Sequence, residues 1–188
     1  MRLSNIVTKK GDSGKTSIGS GERVSKDHPR VHAMGAVDHL NSTIGWSMIE
    51  ANNIFKDDLK EIQNDLFDLG ADLATPISKE KEKYPALRIK KGQIDKIENK
   101  IDYYNKSLKP LNSFILPGGS EASTLLHQSR TIARRAERDT SLLSSVEDIN
   151  IQSLIYLNRL SDLLFVLCRV LNENGLNDVL WIPGLNQK

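Results

Sequence analysis

The chain is nearly without cysteine. Cys168 is the single thiol among 188 residues, and one thiol closes neither an internal disulfide nor a Cys-x-x-Cys metal site. In its apolar helical setting it is expected to be a small buried hydrophobe. Aromatic residues are scarce as well, at 5%, which turns the expectation away from a β-sandwich and toward helices packed with Leu, Ile, Val and Ala. No run approaches the roughly 20 apolar residues that cross a bilayer. Met1 to Thr8 has neither an apolar signal core nor an Arg/Ser-rich transit pattern, so a cytoplasmic protein without a membrane partner is expected. Charge of one sign is also missing: 26 basic residues face 24 acidic ones, a net charge of +2. That balance argues against a broad basic surface and thus against nucleic acid as a partner. Anion binding has to come from local clustering. No Glu-x-x-His pair occurs, which argues against a carboxylate-bridged di-iron bundle. His28, His32, His39 and His127 are expected to be surface or structural residues.

Helical periodicity fills most of the chain. Asp27 is placed to cap a first helix, with Pro29 in its first turn and Val31, Met34, Val37, Leu40, Ile44 and Met48 following. A second helix is predicted over 56–73, where Leu59, Ile62, Leu66, Leu69 and Leu73 form one stripe, and Pro76 closes it. Residues 77–90 are charged and contain Pro85, which makes them a connection. Ile94, Ile97 and Ile101 mark a shorter third helix that ends before Pro110. A fourth runs over 120–143 with Ser120 as its cap and Glu121 at its positive end. A fifth runs over 151–174, capped by Asn150 and stopped by Gly175. The expected fold is all-α: one five-helix bundle domain, with a Gly-rich loop over 1–27, the bundle over 28–175 and a tail over 176–188. The tail contains Trp181 and is expected to pack back on the bundle.

Two segments carry candidate chemistry. The first, Thr8-Lys9-Lys10-Gly11-Asp12-Ser13-Gly14-Lys15-Thr16, clusters glycines whose backbone amides can converge on an anion, with Lys, Ser and Thr as further donors. It is not a Walker A loop: position 9, where that motif needs glycine, is Lys9, and no buried strand precedes it. The second is Arg130-Thr131-Ile132-Ala133-Arg134-Arg135-Ala136-Glu137-Arg138. At roughly 100° per residue, Arg130, Arg134, Glu137 and Arg138 share one side of a helix. Guanidinium groups stacked one turn apart repel unless anions lie between them, and their planar forks match phosphate oxygens in pairs. The ordinary reading of a charge run is a solvated face. Leu125 and Leu126 before it and Leu142 and Leu143 after it favour a helix inside an assembly instead.

Further along, Tyr156-Leu157-Asn158-Arg159-Leu160-Ser161-Asp162 sets Asn158 and Asp162 one turn apart. Asn158 can address a ribose or phosphate oxygen. Asp162 is expected to satisfy an arginine or backbone group within the bundle. Asp38, in Val37-Asp38-His39-Leu40-Asn41, is a carboxylate among apolar neighbours and calls for a cation, for which an arginine of the fourth helix is the natural candidate.

Together and in this order, these segments resemble the ATP:cob(I)alamin adenosyltransferases of the trimeric five-helix type. The resemblance covers residues 8–170. It rests on the N-terminal loop, on Arg23-Val24-Ser25-Lys26, and on Pro29-Arg30-Val31 with Gly35-Ala36-Val37-Asp38-His39-Leu40-Asn41-Ser42. Phe114-Ile115-Leu116-Pro117-Gly118-Gly119, Arg134-Arg135-Ala136-Glu137-Arg138 and Tyr156 to Asp162 complete it. His39 stands where the family commonly has Glu, and residues 77–110 match little. The resemblance implies transfer of the 5′-deoxyadenosyl group of ATP to the cobalt of cob(I)alamin, with triphosphate as by-product. It implies a homotrimer with ATP between adjacent subunits, contacted from the loop side by Thr8, Lys9, Gly11, Gly14 and Lys26. Arg134, Glu137, Arg138 and Asn158 contact it from the helix side. It further implies an Asp38–Arg130 pair across the interface, Phe114 against the lower face of the corrin, magnesium beside the phosphates near Glu137, and a reduced flavin or flavoprotein as electron source. Two other readings stay open: a non-catalytic helical protein that binds ATP, another polyanion or a corrinoid, and a nucleic-acid-binding bundle.

Overall fold

The computed structural model describes residues 7–51, 54–77 and 85–187. A short hairpin comes first, β1 (Lys15–Ser17) paired antiparallel with β2 (Arg23–Ser25). Five helices follow: α1 (Pro29–Glu50), α2 (Lys56–Ala74), α3 (Lys91–Asn105), α4 (Glu121–Ser144) and α5 (Ile151–Leu171). In the bundle α1 packs on α2 and most extensively on α4, α4 packs on α5, and α5 carries α3.

The apolar stripes meet at the centre, where Leu40, Ile44, Leu59, Leu66, Leu69, Leu126, Leu157, Leu160, Leu164 and Leu167 are buried. Burying each such side chain stabilises by roughly 1.5–3 kcal/mol. The seam between α1 and α4 is different. There the buried residues are small, Ala33, Ala36 and Ser47 on α1 and Ser129, Ala133 and Ala136 on α4, and the Ser47 and Ser129 hydroxyls lie 3.2 Å apart. Small side chains let the two backbones approach closely. Cys168 is buried among these helices and carries no disulfide, and burial pushes its thiol pKa up.

Two polar anchors fix the lower joints. Arg30, 1% exposed, bonds the Glu147 carboxylate and the Leu73 carbonyl and so holds α1 to α2 and to the α4–α5 turn. Asp72, 2% exposed, accepts from Arg88 Nη1 and the Ile89 amide at 2.8 Å, from Asn150 Nδ2 at 2.7 Å and from Ser153 Oγ at 2.9 Å. It ties the end of α2 to the approach to α3 and to the start of α5.

Several boundaries depart from expectation. His28, not Asp27, caps α1: His28 Nδ1 accepts from the Arg30 amide at 3.2 Å. Asp27 is drawn off to His32 Nε2 at 2.9 Å. Ser120 and Asn150 cap α4 and α5 as expected, accepting from the Ser123 and Gln152 amides. α5 stops at Leu171, short of the expected 174, because Glu173, Asn174 and Gly175 all take positive φ and reverse the chain. Part of the expected 77–90 connection, residues 78–84, lies outside the described residues, as do residues 1–6 of the N-terminal stretch. No helix among the described residues is long and apolar enough to cross a membrane.

Candidate functional site

The N-terminal loop is folded back on the hairpin. Lys9 is in the left-handed region, the Gly14 amide donates to the Gly11 carbonyl at 3.2 Å, and the Lys26 amide donates to the Gly14 carbonyl at 2.9 Å. Arg23 Nη2 donates to the Lys10 carbonyl at 2.6 Å and braces the outer side. The Lys26 ammonium lies over Gly11, so close that a Cβ there would come within 3.3 Å of Nζ. Gly11, Gly14 and Lys26 are thus brought into one cluster. Thr8 and Lys9 are exposed at its rim. The hairpin itself is fixed to the bundle by buried Ile18 and by the Gly19 amide donating to the Ala74 carbonyl at 2.7 Å.

α4 turns its arginine row away from the core. Its inner side carries Leu126, Ile132, Ala133, Ala136 and Leu143, which leaves Arg134 and Arg138 exposed and Arg130 half-buried. None of the three makes an ion pair among the described residues. Arg138 Nη1 donates to the Arg134 carbonyl at 3.1 Å, while Arg130 Nε is buried without a hydrogen-bond partner. A buried unpaired donor costs roughly 1–3 kcal/mol. Arg135, off the row, faces Asp139 at 3.7 Å. Leu142, expected inside an assembly, is 57% exposed in the single chain.

Glu137, the carboxylate of this face, is engaged from α5. Asn158 Nδ2 donates to Glu137 Oε1 at 2.8 Å. Arg159 Nη1 in turn donates to Asn158 Oδ1 at 2.6 Å, and Arg159 Nε to Glu98 Oε1 at 2.8 Å. A relay therefore runs from α3 through α5 to α4. Sequence reasoning did not single out Arg159 or Glu98. Adjacency to Asn158 was a usable signal for the first, and nothing in the sequence pointed to the second. Asp162 departs from expectation: it is exposed and makes no side-chain hydrogen bond among the described residues. Partial burial, together with the nearby Glu137 charge, raises its pKa against the pull of Arg159 and Arg134.

Asp38 and Arg130 do not meet within the chain. Asp38 is exposed on the rim of an apolar groove of about 360 Å³ between α1 and α2, lined also by Met34, Val37, Leu66, Phe67 and Ala71.

Phe114 stands 77% exposed between α3 and α4. Its backbone is paired with the tail. The Trp181 amide donates to the Phe114 carbonyl at 2.7 Å, the Leu116 amide to the Val179 carbonyl at 2.8 Å, and Ser113 Oγ to the Trp181 carbonyl at 2.8 Å. The Phe114 and Trp181 rings are 6.1 Å apart, and an open apolar groove of about 480 Å³ continues along Leu116, Leu180, Ile182 and Leu185. The tail was expected to pack on the bundle; its 179–181 stretch pairs instead with the Phe114 segment between α3 and α4.

The described residues thus combine an all-α bundle with a glycine–lysine cluster, an arginine row that has no carboxylate partner among them, and an exposed aromatic segment at Phe114. The family model for cobalamin adenosyltransferase matches residues 6–171. The corrinoid adenosyltransferase of Mycobacterium tuberculosis is 46% identical over 188 residues, covering 98% of this chain and 96% of that protein. That of Bacillus subtilis is 42% identical over 180 residues, covering 93% and 90%. Among solved structures, a phenylalanine-to-histidine variant of the PduO-type ATP:corrinoid adenosyltransferase from Lactobacillus reuteri, complexed with cobalamin and ATP, superposes with a TM-score of 0.88. It is 39% identical and covers 95% of this chain and 97% of that one. The chain belongs to the cobalamin adenosyltransferase family, and it is an enzyme of the corrinoid adenosyltransferase class.

Proposed function

We propose that this chain moves the 5′-deoxyadenosyl group of ATP onto the cobalt of cob(I)alamin and releases triphosphate, with ATP held between the N-terminal loop of one subunit and the α4–α5 face of the next in a homotrimer. The observation that carries the reading is the row Arg130, Arg134 and Arg138, none of which has a carboxylate partner among the described residues. Stacked guanidinium groups left in this state are complemented by a polyanion. Trimer geometry is supported by Asp38 and Arg130: each lacks an ionic partner among the described residues, and each supplies what the other needs.

The reacting nucleophile is the substrate cobalt, so the chain need not supply one. Cobalt(I) attacks C5′ of the ribose; the new Co–C bond takes the metal's electron pair, and the C5′–O bond breaks with its pair leaving on triphosphate. The chain folds ATP so that C5′ faces the metal, and it neutralises the leaving group. Arg134, Arg138 and Lys26 do the second task, with the Gly11 and Gly14 backbone around the phosphates and Thr8 and Lys9 at the rim. Asn158 holds Glu137 at 2.8 Å, which leaves Arg134 and Arg138 free for phosphate.

No group of three or more His, Cys, Asp or Glu side chains among the described residues is placed to hold a metal ion. Magnesium fits here as an ion carried mainly by phosphate oxygens, a common arrangement for this cation, with Glu137 a carboxylate on the arginine face that would reach it through water; it would supply further charge neutralisation. Phe114 presents an apolar wall that keeps water and the lower axial base from cobalt, which brings cobalt(II) within reach of a one-electron donor such as a reduced flavin or flavoprotein. The composition supports a cytoplasmic setting.

The test is to reduce cob(II)alamin chemically, add ATP, magnesium and purified protein, and follow the visible spectrum. Protein-dependent adenosylcobalamin with stoichiometric triphosphate is expected. Tight ATP binding by a folded oligomer with no product would replace the enzyme reading by a binding one.

A further inference from the structure

The Phe114 wall is tied to the end of α5 by two buried polar side chains. At the end of α5, Arg169 is 6% exposed and Asn172 5% exposed. Arg169 Nε donates to Asp178 Oδ2 at 2.8 Å, and Arg169 Nη2 donates to the Lys109 carbonyl at 2.9 Å. Asn172 Nδ2 donates to Asp178 Oδ1 at 3.1 Å and to the Asn177 carbonyl at 3.3 Å, while its Oδ1 accepts from the Ser120 amide at 3.2 Å. These bonds reach the entry of the Phe114 segment at Lys109, its exit at Ser120, and the tail at Asp178, one residue before the 179–181 stretch that pairs with Phe114 and Leu116.

The local backbone is shaped around this cluster. Gly119 has φ +105, and a Cβ there would overlap the Asn172 side chain. Gly175 has φ +82, and a Cβ there would lie 2.9 Å from Arg169 Nη2 and 3.0 Å from Asp178 Oδ2. Two glycines thus leave room for one buried ion pair and one amide. The Arg169 and Asp178 side chains are 7% and 4% exposed. Removing one partner of such a pair leaves the other charged and dry. None of these residues is part of the nucleotide cluster or the α4 face.

Resting on the assignment of Phe114 to the corrin face, we propose that Arg169, Asn172 and Asp178 are positioning residues: a buried clamp that holds Phe114 and its partner stretch 179–181 against the corrin, governing how readily cobalt(II) is reduced while leaving nucleotide binding alone. The clamp acts through the backbone of the wall. Its signature is therefore a split between the two corrinoid oxidation states.

The experiment uses the whole chain carrying Asp178→Asn, and separately Trp181→Ala, which leaves the Arg169–Asp178 pair intact and removes only the ring against Phe114. ATP affinity is measured directly. Adenosylation is followed from cob(II)alamin with free reduced flavin and from chemically prepared cob(I)alamin, and electron paramagnetic resonance records cob(II)alamin bound with ATP. For Asp178→Asn, the rate from cob(II)alamin is expected to fall roughly tenfold or more, the rate from cob(I)alamin less than about threefold, and ATP affinity to stay within about twofold. The spectrum should lose four-coordinate cobalt in parallel. Trp181→Ala should show the same split at smaller size. Equal losses from both corrinoids with weakened ATP binding, or no loss at all in folded protein, overturn the clamp; should Asp178→Asn fail to fold, Asn172→Ala, which keeps the Arg169–Asp178 pair and removes the Asn172 bonds to Ser120, Asn177 and Asp178, decides by the same criteria. A wild-type chain that makes no adenosylcobalamin even from cob(I)alamin overturns the proposed reaction itself, a result distinct from either variant's behaviour.

Discussion

Asn158 on α5 donates its side-chain amide to Glu137 on α4 at 2.8 Å, and the acceptor is the carboxylate in the middle of the arginine row. The bond keeps Glu137 from neutralising its own neighbours. Asn158→Ala frees that carboxylate to fold onto Arg134 or Arg138, so ATP should bind more weakly. One hydrogen bond to a charged group is worth roughly 1.5–3 kcal/mol, about a ten- to hundredfold loss in kcat/KM for ATP. Steady-state kinetics at saturating cob(I)alamin check this.

Arg134 is exposed and carries no ion pair among the described residues, so replacing it leaves the bundle intact. Arg134→Lys keeps the charge and loses the planar fork. The expected loss in kcat/KM is again about 1.5–3 kcal/mol, with an unchanged melting temperature. Unchanged kinetics would take Arg134 out of the site.

Phe114→Ala removes a ring that is already 77% exposed, which costs the fold little. ATP affinity should be unaffected. Conversion beginning from cob(II)alamin should slow by at least about tenfold, while chemically prepared cob(I)alamin is still consumed. Full activity from cob(II)alamin would contradict the role assigned to the wall.

Stability should depend on pH through His127. Burial first, and the neighbouring Arg130 second, lower its pKa from 6.5 to about 4, against a smaller opposing pull from Asp178. Between these values the unfolded chain holds a proton that the folded chain refuses. The stabilisation is whole above pH of about 6.5 and is lost as pH falls toward about 4, by roughly 2–3 kcal/mol. Urea midpoints at several pH values, compared with those of His127→Phe, isolate it: the variant should lose part of the acid sensitivity.

Asp72→Ala should be the most damaging of these changes to the fold. It removes the carboxylate that Arg88, the Ile89 amide, Asn150 and Ser153 share. A cost of roughly 3–5 kcal/mol is expected, read by chemical denaturation.

Periodicity made the five helices legible, since Leu59 to Leu73 and Leu157 to Leu167 repeat at helical spacing. The caps at Ser120 and Asn150 were legible because each side-chain oxygen stays free to accept from its own helix, even where Ser120 Oγ and Asn150 Nδ2 donate elsewhere. Asp27 was misleading for the converse reason: His32 takes its carboxylate, and His28 does the capping. The arginine row was visible as spacing, whereas the relay from Glu98 through Arg159 to Asn158 joins residues up to 61 apart in sequence. Neither local propensity nor period encodes such a contact. The same holds for Phe114 and Trp181, whose proximity depends on the reversal at Glu173, Asn174 and Gly175. Only Gly175 advertised that reversal.

The α1–α4 seam bears on how the site meets its ligand. Ala33, Ala36, Ala133 and Ala136 have no rotamers to adjust, so backbone contact sets the distance between the helix that carries Asp38 and the helix that carries Arg134. Those four side chains are between 0% and 6% exposed and hold no side-chain freedom for a nucleotide to fix. Binding then has little left to organise, and more of its energy remains for bending ATP toward the metal. An enlarged side chain in the seam, such as Ala133→Val, would surrender that preorganisation without touching any ligand.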